Sequence, residues 1–155
     1  MELSDFNEPG TIIETGDPDL VKFLVGGTLI EYINNNGKRK VLRFFNLAFI
    51  LVPLYPESII ESIGVGCCIM TLTRKQVMRL LRTEEEVRDS YRYVKRNYLE
   101  SVREYNEDLE TKTPGERYCD LIEDHPWVLE MINQEDLASY LNISLTQYQK
   151  MIQVN

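Results

Sequence analysis

The stretch from Glu135 to Ile152 reads EDLASYLNISLTQYQKMI, and its second half places short polar side chains at helical spacing. Ser144, Thr146, Gln147, Gln149, Lys150 and Gln153 offer hydroxyls, amides and one ammonium group. Such groups suit recognition better than catalysis. A glutamine amide matches the paired donor and acceptor on the major-groove edge of adenine. A lysine contacts a phosphate. The opposing fact is charge: this stretch holds two acids and one base, and affinity for a polyanion grows with the number of phosphates neutralised.

Other residues with chemical potential lack partners at useful spacing. His125 is the one histidine and stands before Pro126, so an end-of-helix role is expected. Cys67 and Cys68 are adjacent and read as small apolar residues on opposite faces of a strand, and Cys119 is expected to pack within a helix. Three such cysteines make neither a disulfide framework nor a metal-ligand pattern. With no P-loop, nucleophile elbow or paired-carboxylate geometry, neither an enzyme nor a cofactor or metal site is expected.

The elements that must position the polar helix follow from periodicity. Residues 11–73 read as β: FLVGGTLIEYI, KVLRFF and VGCCIMTL are rich in β-branched and aromatic residues. Asn36-Gly37, inside NNNGKR, signals a hairpin because both positions accept positive φ. Lys38-Arg39-Lys40 beside it reads as a solvated hairpin tip rather than an anion site. An antiparallel roll or barrel is expected. From residue 74 the pattern turns helical. Val87, Tyr91, Val94, Tyr98, Val102, Tyr105 and Leu109 form one apolar stripe on a helix about 40 Å long. Thr83 is the expected N-cap, and Glu84–Arg88 and Asp89–Arg92 are expected surface pairs. The stripe must bury against its own domain or against a second copy, and the copy is preferred, the tyrosines forming a packed seam. Thr113-Pro114-Gly115 ends this helix, and four short helical segments follow, with Pro126 expected in a first turn and Ser144 at the last N-cap.

The division is therefore a β-roll at 1–82, a long dimerisation helix at 83–112 and a helix-turn-helix unit at 113–155, an α+β chain. The net charge of −8 is uneven. Residues 1–82 hold nine bases and nine acids, residues 83–113 six and nine, and residues 114–155 two and seven, summing to 17 and 25. No apolar run reaches the roughly 18 residues a membrane helix needs, and the start lacks a secretion pattern, so the cytosol is expected.

Within the last unit, Ala138 is the small residue where two helices cross. Leu137, Leu141, Ile143, Tyr148 and Met151 supply the inner faces, and Asn142 sits at a turn that tolerates left-handed φ. An ordinary helical hairpin satisfies the same pattern. Residues 115–151, GERYCDLIEDHPWVLEMINQEDLASYLNISLTQYQKM, resemble the C-terminal DNA-binding domain of Crp/Fnr regulators, most nearly the Bacteroidetes type. EPGTIIETGDPDLVKFLVGGTLIEYINNNGKRKVLRFF is similar to the opening strands of that family's cyclic-nucleotide-binding roll, and residues 84–112 fall where the family has its dimerisation helix. The resemblance implies a homodimeric, DNA-binding transcription regulator with a sensor-like roll, whose effector it leaves unnamed. It implies DNA contacts from Ser144, Thr146, Gln147, Gln149, Lys150 and Gln153.

Two departures shape the expectation. Members that bind cyclic nucleotides hold the phosphate with a Gly-Glu and Arg-Ala cassette, whereas here no Lys or Arg lies between Arg43 and Arg74. A buried phosphate without a cation is costly, so cyclic AMP and cyclic GMP are not expected ligands. On the recognition helix Thr146 stands in the usual acid's place, Gln149-Lys150 replace Ser-Arg, and Ile152 replaces a second Arg. The competing expectation is a degenerate relative that serves protein–protein association without DNA contact.

Overall fold

The structure is a computed structural model that describes residues 1–46 and 49–154. Five strands form one antiparallel sheet in the order β1 (Glu2–Phe6), β5 (Ile59–Thr73), β2 (Leu20–Asn35), β3 (Lys38–Asn46), with β4 (Phe49–Ile50) paired to β2. The β2–β3 hairpin closes through Asn36 (φ 52°) and Gly37 (φ 80°), both left-handed, as the Asn-Gly pair requires. A bulge between Glu31 and Tyr32 shifts the β2–β3 register.

Alternation along β2 splits its side chains between two cores. Leu24 and Leu29 join Phe45, Ile60, Cys67 and Ile69 on the inner face of the sheet. Ile30 and Tyr32 face the other way, with Val41 and Phe44, and pack against Leu121, Val128, Leu137, Ala138, Leu141 and Tyr148 from the C-terminal helices. Sheet and tail thus share one continuous core.

Gly27, at φ 89°, lies where β2 slips its register against β5. A Cβ there would stand 2.7 Å from the Cys67 Cα. Gly27→Ala therefore combines a strained φ with a backbone collision. It is expected to cost about 2–4 kcal/mol, read as a lower urea midpoint at unchanged slope.

The helices are α1 (Arg74–Thr83), α2 (Glu85–Thr111), α3 (Pro114–Asp124), α4 (Val128–Met131), α5 (Gln134–Tyr140) and α6 (Leu145–Val154). Several expectations need correction. Thr83 ends α1 rather than capping α2, and its hydroxyl donates to the Arg79 carbonyl; Glu84 is the N-cap of α2. Arg88 turns from Glu84 to the Leu81 and Arg82 carbonyls, because the end of α1 leaves those acceptors open. Asp89 and Arg92 do pair, at 3.0 Å. Pro126 precedes the N-cap Trp127, outside the first turn. Proline at a first-turn position occurs instead in α3, at Pro114, behind the Thr113–Glu116 capping box. Cys119 is exposed, since α3 turns Arg117 and Leu121 inward and Cys119 lies on the opposite side. Cys67 is buried and Cys68 less so, as expected of neighbours on a strand. Among the described residues no helix is long and apolar enough to cross a membrane.

Candidate nucleic-acid interface

The two-helix unit is built by local hydrogen bonding. The Asn133 side chain accepts from the Asp136 amide at 2.8 Å and starts α5. At the other end Asn142 adopts φ 58°. The Ile143 amide then reaches the Ala138 carbonyl and the Asn142 amide the Ser139 carbonyl, both at 3.0 Å. This Schellman closure ends α5 and turns the chain into α6. Ser144 caps α6: its hydroxyl accepts from the Gln147 amide at 3.2 Å, and Gln147 Oε1 accepts from the Ser144 amide at 2.9 Å. Leu137, Ala138, Leu141 and Tyr148 are buried between the helices. Tyr148 meets Tyr118 edge to face at 5.9 Å, and burial pushes its hydroxyl pKa up to about 12. Ile143 and Met151 are half-buried. Arg117 Nη2 donates to the Leu141 carbonyl, satisfying an acceptor at the end of α5.

All six polar residues singled out on and before α6 are exposed. They are not equivalent. Ser144 and Gln147 hold the start of the helix, and Gln149 Nε2 donates to Gln134 at 3.3 Å. Thr146, Lys150 and Gln153 recur every three or four residues along one exposed face.

The stripe on α2 is divided. Among the described residues none on α2 is buried. Val87, Tyr91 and Val94 line an apolar groove with Phe23, Leu72 and Leu80. The Tyr98 ring lies 5.4 Å from the Arg43 guanidinium, while Leu109 is 39% exposed and Leu99, beside the stripe, 55%. The helix thus touches its own roll yet leaves apolar surface uncovered.

Inside the roll, Glu31 and Arg43 stand opposite each other across β2 and β3. Arg43 Nε donates to Glu31 at 2.5 Å, Nη2 to the Val52 carbonyl at 2.6 Å and Nη1 to Ser101 at 3.3 Å. The other Glu31 oxygen accepts from the Leu54 amide at 2.6 Å. The pair ties both strands, the following loop and α2 into one cluster. No spacing in the sequence marks it.

A second network joins the roll to the helical unit. Arg39 pairs with Glu61 at 3.0 Å and lies 3.7 Å from Asp136, while the Tyr32 hydroxyl donates to Glu61 at 2.7 Å. Burial raises the Asp136 pKa. The Ser139 hydroxyl donates to the Arg39 carbonyl at 2.8 Å and accepts from the Val41 amide at 3.0 Å, so α5 covers the edge of β3. His125 closes α3 as its C-cap residue, and burial lowers its pKa. Among the described residues no three His, Cys, Asp or Glu side chains converge as a metal site.

No family model and no curated protein matches the chain. Solved structures do. A cyclic nucleotide-binding domain containing protein from Listeria monocytogenes EGD-e has a TM-score of 0.75 at 17% identity, covering 99% of this chain and 79% of that one. A CooA mutant from Carboxydothermus hydrogenoformans has a TM-score of 0.76 at 12% identity, with 99% and 75% covered. A Crp/Fnr-family transcriptional regulator from Thermus thermophilus gives 0.68 at 14%, with 99% and 84% covered. The antiparallel sheet and helices therefore have the fold of Crp/Fnr proteins and their cyclic-nucleotide-binding domains. The neighbour from Thermus thermophilus is a transcriptional regulator.

Proposed function

We propose that the chain is a homodimeric DNA-binding transcription regulator whose roll does not answer to cyclic nucleotides. The observation that carries the reading is the α5–α6 unit. Its left-handed Asn142 turn and buried Ala138 hold α6 against α5, while Thr146, Lys150 and Gln153 stay exposed. In this reading α6 enters the major groove. Gln147, Gln149 and Gln153 read base edges, Ser144 and Thr146 contact the backbone or bases, and Lys150 meets a phosphate. Residues 1–82 serve as a sensor-like scaffold, 83–112 as the dimer helix and 113–155 as the DNA-binding unit. The stripe of Val87, Tyr91, Val94, Tyr98, Val102, Tyr105 and Leu109 is shared: Tyr98 packs on Arg43 of its own roll, and the apolar surface left open around Leu99, Val102 and Leu109 pairs two copies.

The roll is a degenerate sensor because Arg43, its inward cation, already serves Glu31, Val52 and Ser101. A cyclic phosphate would have to break that pair. Calorimetry with cyclic AMP and cyclic GMP is expected to show no binding at micromolar concentration, and heat of binding there would overturn this part. Fluorescence anisotropy with fragmented genomic DNA at low salt tests the main reading. Binding that weakens steeply with salt is expected. Absence of binding at micromolar protein would leave the association scaffold in its place.

A further inference from the structure

α6 carries one cation in a tail of net −5 (two bases, seven acids), yet a second basic element borders it. A groove of about 950 Å³ has Gly37, Lys38 and Lys40 of the β2–β3 hairpin on one side and Ser144, Leu145 and Gln147 at the start of α6 on the other. We infer that this hairpin tip is a second DNA contact, with Lys38 and Lys40 gripping the phosphodiester backbone beside the groove that α6 enters. The inference rests on the DNA-binding reading and adds a site to it.

Three features favour a duplex as the occupant. Of the three basic residues at the tip, Arg39 is neutralised by Glu61 and Asp136. Lys38 and Lys40 are exposed and, among the described residues, without an ion-pair partner. Their charge is therefore free for an external anion. Second, the tip is fixed relative to α6. The Ser139 hydroxyl bonds both the Arg39 carbonyl and the Val41 amide, and Asn36-Gly37 makes the shortest turn a hairpin allows. The backbone that carries both lysines is thus already ordered, and binding costs the freedom of their side chains alone. Third, nothing crowds the apex: a Cβ built on Gly37 would meet no atom within 4 Å. The acids nearby stand on the far side of the groove: Glu135 and Asp136 belong to α5, and Arg39 offsets one charge of the Glu61–Asp136 pair, so a phosphate must take the lysine side and avoid both α5 carboxylates.

The test is anisotropy of labelled duplex DNA, cut from genomic DNA, against salt. The full chain is compared with Lys38→Gln/Lys40→Gln and with Lys150→Gln. All three substitutions are on exposed side chains, and circular dichroism checks that the fold is kept. Two lost phosphate contacts lower the slope of log K against log salt by about 1.8 per chain and weaken low-salt binding by about tenfold or more. Lys150→Gln lowers the slope by about 0.9. A hairpin double variant with the wild-type slope, beside a Lys150 variant with a reduced one, overturns the hairpin site and leaves the DNA reading standing. Wild-type protein that binds no duplex removes both.

Discussion

Glu31→Leu is expected to destabilise the protein by about 3–5 kcal/mol, because it strands a buried guanidinium. Glu31 is fully buried and Arg43 nearly so, so neither charge has water to fall back on. The carboxylate accepts from Arg43 through one oxygen and from the Leu54 amide through the other. Its removal leaves a desolvated cation and an orphaned backbone donor. For a chain of 155 residues this amounts to a melting temperature lower by about 6–20 °C. Arg43→Met is expected to cost nearly as much, since it strands the carboxylate. Glu31→Leu with Arg43→Met removes both charges and is expected to recover most of the loss, as buried pairs replaced by apolar groups commonly do. A double-mutant cycle from urea midpoints measures the coupling. Single losses below about 1 kcal/mol would mean that the pair is hydrated and that the roll interior is open to solvent and anions.

What can be read from the chain divides by the range of the interactions. Asn36-Gly37, Asn142 and Ser144 each act within a few residues, so composition and spacing reveal their turns and cap; the Thr113–Glu116 box is just as local, yet Thr113-Pro114-Gly115 read only as the end of α2. The apolar period on α2 shows that one face is covered but not by what. In the structure Tyr98 meets Arg43 and Val87 meets the roll, while Leu109 stays partly open. Cys119 departs from expectation because Arg117 takes the inward position, and a buried arginine is legible only once its acceptor, the Leu141 carbonyl, is in view. The Arg39–Glu61–Asp136 network joins residues 22 to 97 positions apart, so no local pattern marks it. The same holds for the core that Phe44 shares with Tyr148. This shared core explains why the candidate interface is only half legible. The helix with its glutamines is a local pattern, whereas the lysines beside it come from a hairpin about a hundred residues earlier.

Breaking the α2 seam is expected to cost DNA affinity by about 10²–10⁴-fold without unfolding the chain. Leu99→Glu with Val102→Glu is the suitable pair. The two lie three residues apart on one side of the helix; Leu99 is exposed and Val102 half-buried. Tyr98 would be a poorer choice because its ring packs against Arg43, so a charge there also disturbs the roll. Light scattering is expected to report a monomer with a melting temperature close to wild type. In the proposed regulator, two α6 helices held on one dimer would meet half-sites a helical turn apart, and the second would dock at high effective concentration. A monomer loses that second event, and its salt slope falls by about half as the phosphate contacts halve. The two readouts separate the readings. An unchanged mass means that the stripe packs within its own subunit. A monomer with wild-type affinity means that α6 binds alone and the seam serves another purpose. Loss of mass together with loss of affinity is the result a paired regulator requires, and an association scaffold would give the first without the second.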